Sequence, residues 1–315
     1  GANWTHAVLA PSDPSGHLPR IAGEDQPKRL GARINRIFRP ETLMPILTIL
    51  AVNAAVSAVA FLALWGVSLR TRDVSFIDAW WGPSMALLAW STLLQGPITP
   101  HGALLTGLCT LWAGRLGVYL LWRWRKHGAD RRYVAIFAHY EKAKKWSFAT
   151  TALIIVFGLQ AVLGYVVALP VQLGQGPGTL GALAYAGAAL AIVGILFETI
   201  GDAQLTAFKA NPDNTGKVMD QGLWRYTRHP NYFGDACVWW GLYLIAAETG
   251  LGAWALPGPV LITFLLTKWS GVPTTEGKMK KSKPGYAEYV ARTSGFVPWF
   301  PRNTPLPEGE GGARR

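Results

Sequence analysis

Apolar residues in this chain are gathered into long runs, and its charges are pushed into the segments between them. A run of ~18 or more apolar residues can cross a hydrocarbon core of ~30 Å. Several in one chain leave a soluble globule too little interior to hide them. Seven runs read as transmembrane helices, at residues 43–68, 76–95, 102–122, 148–170, 180–200, 234–249 and 252–270. The expected fold class is an all-α integral membrane protein in which only helices can satisfy the backbone inside lipid.

The formal net charge is +12, which by itself would also suit a nucleic-acid binder. Lys and Arg, however, cluster at the ends of apolar runs, where they act as a topology signal and attract anionic lipid. Nucleic acid is therefore not an expected partner, and membrane lipids are. The connections 69–75, 123–147, 201–233 and the tail after residue 270 carry the basic residues, whereas 96–101 and 171–179 carry no Lys or Arg. The positive-inside rule then places the charged side and the C-terminus in the cytoplasm and the N-terminus outside. Residues 1–42 form a polar N-terminal segment. Within it Arg33, Arg36 and Arg39 alternate with Ile34, Ile37 and Phe38 as an interfacial turn would require. Residues 43–301 make the membrane domain and 302–315 a flexible tail. Cys109 and Cys237 lie in apolar runs and read as inert thiols, and no His or Cys spacing suggests a metal.

Chemistry-bearing residues concentrate in Gly222-Leu-Trp-Arg225-Tyr226-Thr-Arg228-His229-Pro-Asn231-Tyr232-Phe-Gly-Asp235. Arg225 and Arg228 suit phosphate or carboxylate, and Tyr226 and Tyr232 offer faces for stacking. An interfacial aromatic belt would explain the Trp and Arg, but not His-Pro-Asn followed by an acid entering a span. Glu198 and Asp202 stand one helical turn apart near the end of the fifth run, so both carboxylates share a face. Acids at that depth face a cavity, a substrate or a partner charge, Arg225 and Arg228 being candidates. Arg115 lies inside the third run and needs an anion, with Asp78 or Glu198 in reach. Desolvation in the second run would favour the neutral acid at Asp78, able to donate to a carbonyl oxygen. A helix cap is the plainer alternative. In the tail, Glu276 precedes a lysine cluster that reads as a lipid-facing patch, and Tyr286 and Tyr289 stand one turn apart where they could close over a nucleotide. Gly176-Pro-Gly178-Thr-Leu-Gly181 matches the dinucleotide fingerprint literally but joins two spans, where it has no βαβ context.

The run 222–241, with Pro284–Tyr289 and Phe296–Trp299, resembles the steroid 5α-reductase-like membrane reductase superfamily, in its bacterial branch DUF1295. The resemblance covers most of residues 70–301. It implies seven transmembrane helices, NADPH bound on the cytoplasmic side mainly by residues 198–301, and hydride transfer to an activated C=C bond of a steroid or other lipid entering from the bilayer. It also implies a multi-pass protein of a bacterial inner membrane. Carried over by motif, Glu198, Asp202, Lys209, Tyr226, Asn231, Asp235 and Glu276, with Arg225, Arg228 and His229 alongside, correspond to cofactor contacts, and Tyr232, Tyr286 and Tyr289 join them as rings able to stack on or close over the nucleotide. Asp78 corresponds to the acid that polarises the substrate carbonyl, with Arg115 and Tyr119 as its expected catalytic neighbours. The tyrosine usual beside that acid aligns with Trp112, leaving Tyr119 or Tyr133 to replace it. Arg228–Gly234 also satisfies the Arg-His-Pro-x-Tyr-x-Gly motif of isoprenylcysteine carboxyl methyltransferase-like enzymes, which bind S-adenosylmethionine. Those enzymes usually follow it with paired glutamates, where this chain has Thr275-Glu276.

Overall fold

A helix of apolar residues satisfies its own backbone, and the chain uses that solution almost throughout. The computed structural model describes residues 40–269 and 271–302, so the turn expected around Arg33–Arg39 and the tail from residue 303 lie outside the described residues. No strand occurs among the described residues; Thr227 and Ser294 form an isolated bridge. In chain order the helices are α1 (Pro40–Thr71), α2 (Ile77–Leu93), α3 (Pro100–His127) and α4 (Arg131–Lys144). α5 (Phe148–Val167) contains a π-helical stretch at Ala152–Gly158. Then come α6 (Leu169–Leu173), α7 (Ala182–Ala210), α8 (Pro230–Ala247), and α9 (Pro257–Phe264), which runs on as a π-helix at Leu265–Trp269. α10 (Val272–Ser282) and α11 (Tyr286–Arg292) close the described chain. Residues from Pro45 onward belong to one compact unit; of the unit Gly1–Met44, only the first turn of α1 is described.

Among the described residues, five segments are long and apolar enough to cross a membrane: Leu43–Thr71, Pro100–His127, Phe148–Val167, Ala182–Ala210 and Gly252–Gly277. The protein is therefore a multi-pass membrane protein. Two runs expected to span are not among the five. α2 has 17 residues, and α8 has 18 with an acid, Asp235, inside it. Both are shielded by neighbours, with Leu88, Ala89, Val238, Trp239 and Leu242 in one core with Leu105, Trp112, Ala184, Ala191 and Val171.

The tightest packing is between α7 and α8, and glycine makes it possible. Gly187, Gly194 and Gly201 recur every seven residues on α7, facing Gly241, Gly234 and Pro230 of α8. A Cβ on Gly194 would lie 2.5 Å from the Gly234 carbonyl oxygen, and one on Gly187 2.5 Å from that of Gly241. Small residues of this kind let backbones approach where lipid supplies no hydrophobic drive for helix association. Gly194→Ala should therefore push the helices apart and lower stability by about 1–3 kcal/mol, the usual range for overpacking. Gly107→Ala on α3, where nothing lies within 4 Å, is the matched control. Equal detergent melting temperatures for the two variants would refute the close-packing account.

Polar side chains fix the rest of the register. Asn53 of α1 donates to Thr92 Oγ1 of α2 at 2.7 Å and to Gln172 Oε1 of α6 at 3.1 Å. At one end of the bundle Glu248 accepts from the Gly181 backbone N–H at 2.9 Å, at the start of α7, and pairs with His101 Nε2 of α3 at 2.8 Å. That contact gathers the starts of α3 and α7 with the end of α8. The C-terminal halves of α3 and α7 and the first turns of α8 therefore share the opposite end.

Candidate functional site

At that opposite end the Gly194–Gly234 contact brings Asp235 in beside Glu198, whose backbone N and Cβ flank Gly234. Glu198, Asp202 and Asp235 are all buried. One cation serves them. Arg115 Nη2 donates to Asp202 Oδ2 at 2.6 Å and to the Glu198 carbonyl at 2.6 Å, while Nη1 lies 3.0 Å from Glu198 Oε1. Trp112 Nε1 donates to Glu198 Oε2 at 3.0 Å, and Asn231 Nδ2 to Asp202 Oδ1 at 3.2 Å. Arg115 thus finds its anions in Glu198 and Asp202 and not in Asp78, and those two acids pair with Arg115 and not with Arg225 or Arg228. Within this cluster, as described, two buried atoms lack a hydrogen-bond partner: Asp235 Oδ1 and Arg115 Nη1, whose contact with Glu198 is one of charge only. Trp112 supplies a directed donor to this cluster.

A second cluster forms where α2 begins. Asp78 Oδ2 accepts from Arg132 Nη2 at 2.7 Å and its Oδ1 from the Tyr133 hydroxyl at 2.6 Å, with Arg123 Nη2 4.0 Å away. Gln160 Nε2 of α5 donates to the Tyr133 oxygen at 3.2 Å. Two expectations change here. Asp78 is neither a helix cap, since Phe76 takes that position without a side-chain bond, nor a donor deep in a span. It lies in the first turn of α2 with its side chain 23% exposed, within reach of two guanidinium groups, and it accepts. The tyrosine beside it is Tyr133. Tyr119 instead lies under the Arg115 guanidinium at 5.5 Å, its hydroxyl 3.4 Å from Thr206.

Local sequence builds this arrangement. Gly128, at φ 72°, ends α3, and Asp130 caps α4 by accepting from the Arg132 N–H at 2.8 Å. Asp130 Oδ2 also accepts from Arg132 Nε at 3.0 Å, and the Ser75 hydroxyl accepts from the Asp130 N–H at 2.8 Å. Asp73 accepts from Ser75 N at 2.7 Å and Trp124 Nε1 at 2.9 Å. Burial pushes its carboxyl up, but those hydrogen bonds outweigh burial and leave it below the ordinary range. Burial, then the adjacent Asp78 charge, holds the Tyr133 phenol well above its ordinary range. An apolar cavity of about 350 Å³ lies alongside, lined by Leu64 of α1, Phe76, Trp80 and Pro83 around α2, and Gly114 and Leu121 of α3.

The motif 222–235 does two things. Asn231 and Asp235 enter the acidic cluster, whereas Arg228 and His229 turn toward the tail. Arg228 Nε donates to Glu276 Oε1 at 2.8 Å and Nη1 to the Thr293 carbonyl at 2.6 Å, and His229 Nε2 lies 3.1 Å from the same Glu276 oxygen. Burial, then the neighbouring Arg228 charge, lowers the His229 pKa, and its bond to Glu276 only partly opposes them. Its ring stacks on Tyr232 at 5.3 Å. Tyr286 and Tyr289 are buried, and the Tyr289 hydroxyl donates to the Trp224 carbonyl at 2.5 Å, so this pair packs the tail against the 222–225 turn. Arg225 and Tyr226 are exposed, as is Lys209 in the last turn of α7.

Two features of the site escaped the sequence reading: Gln160 behind Tyr133, and the glycine heptad that seats Asp235 beside Glu198; of Tyr119 and Tyr133, both open in the sequence, Tyr133 is the one that meets Asp78. Of the two features, the spacing of seven was visible in the sequence.

No curated protein and no solved structure matches the chain. The family model described as protein of unknown function (DUF1295) matches residues 64–293, a stretch holding every residue of both clusters. The chain belongs to the DUF1295 family, a steroid 5α-reductase-like membrane domain.

Proposed function

We propose that this chain is a membrane-embedded, NADPH-dependent reductase that delivers hydride to the activated C=C bond of an enone-like steroid or other lipid. The observation that carries the reading is the buried acidic cluster around Arg115, in which the acceptor Asp235 Oδ1 has no hydrogen-bond partner and the donor Arg115 Nη1 meets Glu198 by charge alone. Unsatisfied polar atoms at such depth are costly, and a ligand presenting hydroxyl and amide groups would satisfy both. The ribose and carboxamide of NADPH fit that requirement. Glu198, Asp202, Asn231, Asp235 and Arg115 would hold this end of the cofactor, with Lys209, Arg225 and Tyr226 placed for its charged end. Arg228, His229, Glu276 and Tyr289 would hold the tail against the site. When bound, NADPH supplies the hydride. Tyr133, oriented by Asp78 and Gln160, would turn its proton from Asp78 to a substrate carbonyl oxygen, and the apolar cavity lined by Phe76, Trp80 and Pro83 suits a lipid body.

NADPH at a hundredfold excess over its Kd should raise stability by about 2.7 kcal/mol through ligand linkage, with NADH giving less. Asp235→Leu should abolish the gain. A second reading rests on the convergence of Arg228 and His229 on Glu276, at 2.8 and 3.1 Å. It makes the chain an S-adenosylmethionine-dependent methyltransferase. Stabilisation by S-adenosylmethionine with none by NADPH would establish that reading and sink the reductase.

The topology proposed with this function has seven spans, α2 and α8 crossing within the shelter of the other five. The N-terminus then lies outside and the C-terminus in the cytoplasm, most simply at a bacterial inner membrane. The support is the absence of Lys and Arg from 96–101 and 171–179. A reporter fused after Arg315 should be active only on the cytoplasmic side; activity only outside would overturn the seven-span count.

A further inference from the structure

The α3–α5 junction carries six cations for which the reductase reading has no use. Arg125, Lys126, Arg131, Lys142, Lys144 and Lys145 are all exposed, and no ion pair among the described residues includes any of them. Acids are scarce beside them: Asp130 is occupied by Arg132, which leaves Glu141. Both flanking helices are long and apolar enough to cross a membrane, one ending at His127 and the other starting at Phe148. The twenty residues between them are therefore held at the bilayer surface. Aromatic rings lie among the cations, with Lys126 5.2 Å over the Trp122 ring and Lys144 5.4 Å over Trp146. Trp146 in turn stacks on Tyr140 at 5.3 Å. Aromatic rings beside lysines at a span end are the chemistry of a headgroup layer.

α4 is also weakly held by the protein itself, having no fully buried residue. Its ties are the stack of Phe137 on Phe148 at 4.7 Å and, around its first turn, the bonds from Arg132 and Tyr133 to Asp78, from Gln160 to Tyr133 and from the Asp130 N–H to Ser75. We infer that α4 docks on the anionic phospholipid headgroups of the bilayer, and that this docking keeps Arg132 and Tyr133 on Asp78. The docking stands on charge and placement; its effect on turnover rests on the reductase reading. A membrane poor in anionic lipid would loosen α4 and disassemble the Asp78 cluster while leaving the Arg115 cluster, built from α3, α7 and α8, intact.

The test compares full-length protein in nanodiscs of phosphatidylcholine with discs containing phosphatidylglycerol, reading amide hydrogen exchange. Exchange over residues 131–144 should slow by about tenfold or more in the anionic discs, and the gain should shrink in high salt. Amides of α7 should not change. The variant Lys142→Gln/Lys144→Gln/Lys145→Gln, altered at exposed positions away from Asp78, should lose most of the gain. Equal exchange in the two discs overturns the proposal, as does full retention of the gain by the variant. Inorganic phosphate reproducing the gain in phosphatidylcholine discs would also overturn it, because the surface would then be a phosphate site. NADPH binding, measured on the same samples, separates the readings. Its absence with the lipid gain intact fells the reductase and leaves the docking standing.

Discussion

Replacing Arg115 by methionine is expected to destabilise the protein by about 3–5 kcal/mol, the usual consequence of removing one partner from a buried ion pair. Methionine keeps most of the volume of the arginine stem, so the loss is electrostatic and not a cavity. Among the described residues the guanidinium is the only cation hydrogen-bonded to Asp202 and in charge contact with Glu198, whose side chains are 6% and 4% exposed. Without it, carboxylates at that depth must be protonated or drag water inward, and either course opposes the native packing of α7 on α8. The double variant Arg115→Met/Asp202→Asn removes one of the stranded charges and should recover part of the loss. The coupling between the two substitutions is what identifies the pair. Detergent melting curves with all four combinations measure it. A single variant that melts with the wild type would show that Arg115 is solvated in the membrane and that the cluster is not what holds α3 to α7.

What could be read from the sequence follows the range of the interaction. Apolar runs are local, so the helices α1, α3, α5 and α7 lie where the runs placed them. The shared face of Glu198 and Asp202 follows from helical spacing alone. The partner of Arg115 depends on how α3 lies against α7, which spacing cannot give; charge balance narrowed it to Asp78 or Glu198, and the structure selects Glu198 with Asp202. Arg228 has the residue type of a phosphate ligand, but its partners lie 48 and 65 residues away in the tail. The sequence left Tyr119 and Tyr133 both open as the tyrosine beside Asp78, and α4, which carries Tyr133, has no apolar run to announce it. The signal for α4 was nonetheless present: Gly128 as a helix-ending residue, then Asp130 as an N-cap. A helix starting at Arg131 puts Tyr133 in its first turn, close to the chain that enters α2.

Tyr133→Phe should lower turnover of an enone steroid probe about a hundredfold, or about 3 kcal/mol in the barrier, with NADPH stabilisation unchanged. Reduction of an enone places negative charge on the carbonyl oxygen, and a donor aimed there lowers the barrier by about that much. The Tyr133 hydroxyl donates to Asp78 at 2.6 Å and accepts from Gln160 at 3.2 Å, and its proton would turn from Asp78 to the substrate oxygen. Its raised pKa comes from burial first and the Asp78 charge second, and its direction fixes the pH behaviour. A phenol whose folded-state pKa exceeds the unfolded value, about 10, gives a contribution that is whole below that pH and lost only above it. Turnover should therefore show no phenol-linked fall anywhere in the neutral range. Asp78→Ala removes the group that orients Tyr133 and should approach the same rate, whereas Tyr119→Phe should stay near wild type because its hydroxyl meets only Thr206. Gln160→Leu tests positioning apart from chemistry: kcat should fall by less than in Tyr133→Phe, and Gln160→Glu or Gln160→His, which keep a polar group, should restore part of it. Wild-type turnover in Tyr133→Phe, with NADPH still bound, would move the donor role to another residue and leave Asp78 as the anchor of α4 alone.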